Sequence, residues 1–248
     1  MCIVLIIMLH IYKNSENAKC LYRPSKICKS PYVADITVDD EECLAHSPAL
    51  GMDGYISSDK TVLVSPIENP KGLCKYSILA AYDDSKSIYV GANPIHANKA
   101  FHEACKQNLL NDDFGAIESI LPEYTHGNSR FDFFLNNSIY VEVKSVLIEK
   151  DNIAYFPVGN KKNGTISERA NKHISELTAL SKEGNMCALV FMVLREDVNA
   201  FTPNSKDKLF CECISKAIIS GLKVLVYQCK VNMEGIHFMG KLKYLTEE

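Results

Sequence analysis

Apolar positions change their period near the middle of the chain. Over residues 31–92 they fall in short β-rich runs, 32–38, 60–64 and 87–90, separated by Asp, Gly, Pro and Ser clusters. Several short strands at such spacing predict a small barrel or sandwich. Beyond Pro94 the period lengthens. Residues 98–110 read as a helix, with Phe101, Ala104, Cys105 and Leu109 at helical spacing. Residues 129–135 and 139–146 alternate as two strands joined by Asn136-Asn137-Ser138. A second helix is predicted over 168–181, with Ala170, Ile174 and Leu177 on one face, and a third over 207–220, ended by Gly221. The continuous apolar run 188–194 and the segment 222–227 read as strands, the first of them buried. Strand, helix, strand, helix, strand predicts an α/β unit with partly parallel pairing. The expected organisation is an N-terminal extension over 1–29, a β domain over 30–92 and an α/β domain over 93–248.

Composition narrows this picture. Of 248 residues, 47% are hydrophobic and 23% charged, which suits a full-sized core. The formal net charge of -3 argues against a protein that coats nucleic acid with its whole surface, while leaving room for a local basic patch. None of the 10 cysteines forms a Cys-x-x-Cys pair, so they read as reduced thiols packing as small apolar groups. The apolar run 3–9 is too short for a membrane span and lacks the charged flank and cleavage site of a signal peptide. It is expected as an extra strand or an extension. The chain is therefore expected inside the cell, in the cytoplasm, with a short targeting segment as the alternative.

The chemistry gathers on the hairpin. In Arg130-Phe131-Asp132-Phe133-Phe134-Leu135, alternation places Phe131, Phe133 and Leu135 on one face and Arg130 and Asp132 on the other. In the next strand Ile139, Val141 and Val143 share one face, and Glu142 and Lys144 the opposite one. A register that keeps both apolar sets together sets Phe133 opposite Val141, Asp132 opposite Glu142 and Arg130 opposite Lys144. Two adjacent carboxylates repel unless something positive lies between them. A divalent ion such as Mg²⁺ fits oxygen ligands, can polarise a phosphate, and leaves Lys144 to steady developing charge. An exposed hairpin face with cross-strand ion pairs is the alternative.

The surrounding residues bear on that choice. Gly127-Asn128-Ser129-Arg130-Phe131-Asp132-Phe133-Phe134-Leu135, followed by Tyr140-Val141-Glu142-Val143-Lys144-Ser145-Val146, resembles the signature of the sugar fermentation stimulation protein family. Ala97-Asn98-Lys99 with Glu103-Ala104 upstream resembles further segments of that family. So do Phe156-Pro157 and Ser167-Glu168-Arg169-Ala170-Asn171-Lys172-His173 downstream. The chain departs at His46-Ser47-Pro48-Ala49-Leu50-Gly51, where the family's asparagine is missing, and carries an insertion around residues 160–165.

The resemblance implies an OB-like β-barrel followed by a PD-(D/E)XK restriction-nuclease-like α/β domain, and non-specific DNA binding. It implies Asp132, Glu142 and Lys144 as the nuclease triad, with Asp132 and Glu142 on Mg²⁺ or Mn²⁺, and Glu103 as the helix glutamate of that fold. Arg169 and Lys172, with Arg130, become candidate phosphate contacts. Lys161, Lys162 and Asn163 read as a flexible loop or as a phosphate-contacting one. His173 reads as a packed or capping residue. The function expected is DNA binding with a nuclease-type metal site and metal-dependent phosphodiester cleavage. The alternative is a non-catalytic DNA-binding regulator. No membrane partner is expected.

Overall fold

The computed structural model describes residues 6–52, 54–127, 129–158 and 168–245. The insertion at 160–165, with Lys161, Lys162 and Asn163, lies outside them, as do residues 3–5 of the apolar run 3–9. In chain order the first elements are β1 (Ile7–Ile11), β2 (Glu16–Tyr22), β3 (Val33–Val38), β4 (Glu41–His46), β5 (Thr61–Pro66), β6 (Tyr76–Asp83) and β7 (Ile88–Gly91). Then come α1 (Pro94–Lys106), α2 (Asn111–Phe114), β8 (Ile120–His126), β9 (Ser129–Leu135), β10 (Ile139–Val146), β11 (Glu149–Lys150) and β12 (Ile153–Phe156). The chain ends with α3 (Glu168–Lys182), β13 (Met186–Val193), β14 (Ala200–Pro203), α4 (Lys208–Ile219), β15 (Lys223–Val231), β16 (Gly235–Lys241) and β17 (Lys243–Tyr244). No helix among the described residues is long and apolar enough to cross a membrane.

Two compact units emerge: residues 1–96 with 194–197 and 229–239, and residues 97–193 with 198–228 and 240–248. The first contains a closed five-stranded barrel. Strands run in the order β4-β3-β2-β5-β6, and a parallel pairing of β4 with β6 closes the ring. Closure removes the free strand edges that an open sheet would expose. Segment 1–29, expected as an extension, supplies β2 to this barrel and β1, which pairs antiparallel with β16. Its polar-rich alternation in β2 hid the strand, since only Ala18 and Cys20 face the core.

A buried cation braces the same unit. Arg195 has no exposed surface. Its Nε and Nη2 donate to Asp197 at 2.7 and 2.8 Å, and its Nη1 to the Tyr55 hydroxyl at 3.0 Å. Asp83 lies 3.7 Å away. Burial alone would raise the Asp197 carboxyl, yet the hydrogen bonds and charge of Arg195 hold it below the usual carboxylate range.

The second unit is the α/β one. Strands β10, β13 and β15 pair in parallel, and β9 and β8 extend the sheet antiparallel. The continuous apolar β13 sits between two parallel neighbours and is buried from Cys187 to Val193, as expected of a strand covered on both faces. Helices α3 and α4 pack on one side through Ala170, Ile174, Leu177, Phe210, Ile214 and Ala217, against Phe191, Val193 and Val226 among others. Asp207 caps α4 by accepting from the Phe210 N–H at 3.0 Å. Helix α1 begins at Pro94, earlier than its apolar period suggested, because proline is tolerated in the first turn. The outer strand β8 carries Pro122 and a left-handed Glu123 (φ 54°), two devices that discourage pairing with another chain.

Replacing Arg195 with alanine should cost up to about 3–5 kcal/mol, because the largely buried Asp197 carboxylate would lose its hydrogen-bonded cation and keep only Lys86, 3.9 Å away. Urea unfolding measures this, and a loss below about 1 kcal/mol would show the contacts to be incidental.

Candidate metal centre

Strand β10 is held unequally by its neighbours. It pairs with β13 along the whole of Ile139–Val146, but with β9 only through Ile139↔Leu135, Tyr140↔Phe134 and Val141↔Phe133. The turn Asn136–Asn137, with φ of 51° and 49°, sets the expected register of Phe133 opposite Val141. Beyond that pair the ladder stops, so Asp132 and Glu142 are not ladder partners as expected, nor are Arg130 and Lys144.

The reason lies in a local break of alternation at Asp132. Pro122↔Phe133 and Tyr124↔Phe131 stay in register across β8 and β9, while Glu123, between them, takes a left-handed conformation. Phe131 then stands 5.4 Å from the Tyr140 ring, on the side of Phe134, which is 4.7 Å from it. Phe133 packs instead against Phe101 of α1 at 5.1 Å. The expectation that Phe131 and Phe133 share a face is therefore corrected.

Where the strands part, side chains replace the missing ladder bonds. Asp132 Oδ2 accepts the Val143 N–H at 2.7 Å, and Oδ1 accepts from Asn98 Nδ2 of α1 at 2.8 Å. Burial, and next the Glu142 charge, push the Asp132 carboxyl above its ordinary value against these bonds. Glu142 is 2% exposed. Its Oε1 accepts from Lys144 Nζ at 2.5 Å and from His173 Nδ1 of α3. Its Oε2 is buried with no hydrogen-bond partner. Burial pushes Glu142 up, but the His173 and Lys144 contacts outweigh it and leave the carboxyl below its ordinary value.

Asp132, Glu142 and Lys144 thus converge, joined by Asn98 and His173, which the sequence reading did not place there. Asn98 is marked in the sequence only as part of the Ala97-Asn98-Lys99 segment, with no role attached, and a helix histidine such as His173 reads first as a packed or capping residue. Glu103 lies five residues beyond Asn98, about 140° further round the helix. It engages Lys106 at 3.7 Å and Gln107 at 3.1 Å on its own helix. Arg130 pairs with Glu123 at 2.9 Å, Lys172 lies 3.7 Å from Glu176, and Arg169 is exposed at the start of α3.

No group of three or more His, Cys, Asp or Glu side chains among the described residues is arranged to hold a metal ion. The fit of a metal rests on two carboxylates. The unbonded Glu142 Oε2 is a buried anionic oxygen that needs a partner. Mg²⁺ suits such a donor set, since it commonly takes one or two carboxylates and keeps several waters.

Fold and site together define a mixed α/β protein, with a closed β-barrel and a parallel-sheet unit that carries a buried acid–lysine–histidine cluster. Comparison with known proteins agrees. The family model described as the sugar fermentation stimulation protein RE domain matches residues 95–235. The sugar fermentation stimulation protein homolog of Clostridium tetani is 31% identical over 241 residues, 95% of this chain and 99% of that one. The homolog of Desulforamulus reducens is 32% identical over 212 residues, 83% and 84% of the two chains. The solved structure of Pyrococcus furiosus SfsA in complex with Ca²⁺ superposes with a TM-score of 0.82 at 21% identity, over 96% of this chain and 99% of that one. The chain belongs to the sugar fermentation stimulation protein family.

The lowered Glu142 pKa fixes a pH dependence for the metal-free protein. A carboxyl depressed on folding contributes stability above its unfolded pKa and loses it as pH falls through the folded value. Stability should therefore decline from the ordinary glutamate range downward, and Glu142→Gln should flatten that decline. Denaturant titrations at stepped pH measure it; an equal slope in the variant would assign the decline to other carboxylates.

Proposed function

We propose that the chain binds DNA without sequence preference and that Asp132, Glu142 and Lys144 form the centre of a PD-(D/E)XK-type, metal-dependent phosphodiesterase. The observation that carries this reading is the buried Glu142 Oε2, left unbonded beside the partly buried Asp132 carboxyl, whose proton affinity is raised. Asp132 and Glu142 would hold Mg²⁺ or Mn²⁺. The Ca²⁺ complex of the Pyrococcus furiosus relative supports a divalent, oxygen-seeking ion in this family. When bound, the ion supplies Lewis-acid polarisation of a scissile phosphate.

The protein's own groups have separate tasks. Asn98 and the Val143 N–H orient Asp132. Lys144 has three donors, of which Glu142 engages one. Another can hold an attacking water or a phosphate oxygen on which charge develops. Arg169 and Lys172, exposed in the first turn and a half of α3, offer cations for the DNA backbone, where a helix N-terminus also favours phosphate. Arg130 and Lys172 each have an acidic neighbour, and the net charge is -3, so affinity must come from this local patch and fall steeply with salt. Non-catalytic DNA binding is the second reading. The hold of Glu142 on Lys144 favours it, because a lysine committed to an ion pair is a poor electrostatic catalyst.

The two readings part on one variant. Wild type should cut DNA with Mg²⁺ or Mn²⁺. Lys144→Met should abolish cutting while keeping the metal-induced stabilisation, roughly 2.7 kcal/mol at a hundred times Kd. Metal-dependent stabilisation without cutting in wild type selects the non-catalytic reading. Separately, Arg169→Ala/Lys172→Ala should weaken binding to all DNA sequences alike in gel-shift titrations at low salt. Unchanged affinity would remove α3 from the DNA interface.

A further inference from the structure

Glu142 is engaged on one oxygen only, and that asymmetry has a chemical consequence. Lys144 Nζ, at 2.5 Å, and His173 Nδ1 both contact Oε1. A carboxylate oxygen offers two in-plane lone pairs, so two donors fill it. An ionised carboxylate only accepts, which requires the proton of the imidazole on Nδ1. Lys144 Nζ also lies 3.5 Å from that nitrogen, but an ammonium has no lone pair and a protonated Nδ1 cannot accept. Glu142 Oε1 is therefore the shared acceptor, and the His173 side chain, 15% exposed, is held on it from α3.

We infer that His173 is a positioning residue that sets the ion preference of this site, by occupying Glu142 Oε1 so that Oε2 alone faces a metal. This rests on the metal-centre reading above. A carboxylate with one oxygen blocked binds an ion through the other and cannot chelate. Mg²⁺ and Mn²⁺ take such single-oxygen ligands in a compact octahedron. Ca²⁺ is larger, takes six to eight oxygens, and commonly gains from a carboxylate binding through both. The His173 contact thus favours the smaller ions. Lys144 alone does not secure this, since its flexible stem can follow either oxygen, whereas the imidazole is fixed to a packed helix whose Ala170, Ile174 and Leu177 are buried.

The test measures apparent affinities of Mg²⁺, Mn²⁺ and Ca²⁺ for the full chain, by calorimetry and by melting temperature, without DNA. Wild type should prefer Mg²⁺ and Mn²⁺ over Ca²⁺. His173→Ala should shift the Ca²⁺-to-Mg²⁺ affinity ratio toward Ca²⁺ by about tenfold, the scale on which outer ligand partners act. His173→Asn, whose amide N–H lies close to the position of Nδ1, should restore the wild-type ratio. An unchanged ratio in His173→Ala overturns the inference while leaving the metal centre standing. A wild type that responds to none of the ions overturns both. Should His173→Ala fail to fold, the ¹⁵N imidazole spectrum of wild type with Mg²⁺ decides. A proton on His173 Nδ1 supports the inference, and a bare Nδ1 overturns it.

Discussion

A carboxylate at 2% exposure on β10, the strand where parallel pairing with β13 gives way to antiparallel pairing with β9, is the constraint from which the site follows. Burying a charge costs several kcal/mol unless it is paired and hydrogen-bonded. Glu142 is matched by Lys144, two residues along its own strand, and by His173 from α3. The match is one-sided. One oxygen has two donors and the other has none, so the charge is largely paired while one buried anionic oxygen stays unsatisfied.

The parting of β9 from β10 is the second part of the same arrangement. Had the ladder continued, the Val143 N–H would have a main-chain acceptor. Instead the Asp132 carboxylate takes that bond. The left-handed Glu123 on β8 and the reversal of Phe131 make the parting possible. Packing tolerates it because Phe131 finds a place against Tyr140, while Phe133 meets Phe101.

Much of this was legible in the sequence. Long periodic segments came through: α3, α4, β10 and β13 lie within two residues of their expected bounds at every end. The turn at Asn136–Asn137 fixed the register that brings Asp132 and Glu142 to one place, since a slip would have turned Val141 and Phe133 outward. The losses have definite causes. Strict alternation cannot foresee a break at Asp132, because a glutamate gives no sign of the left-handed conformation that Glu123 adopts beside it. Strand β2 was hidden by polar residues on its outer face and β4 by its leading Glu41-Glu42, while β6 is a short buried run, Ile78–Ala81, whose two alanines carry little strand signal. Asn98 and His173 lie in segments that resemble the family, but the sequence does not say which side chains they meet. Only the fold gives them a neighbour.

On the proposed reading, Glu142 Oε2 and the Asp132 carboxylate share a divalent ion. The most direct measurement is anomalous scattering from crystals of the full chain grown with Mn²⁺. A peak should appear at about 2.0–2.2 Å from Glu142 Oε2 and from an Asp132 oxygen, with Lys144 and His173 still on Oε1. Well-ordered density for both carboxylates with no peak between them, or a peak chelated by both Glu142 oxygens, would contradict it.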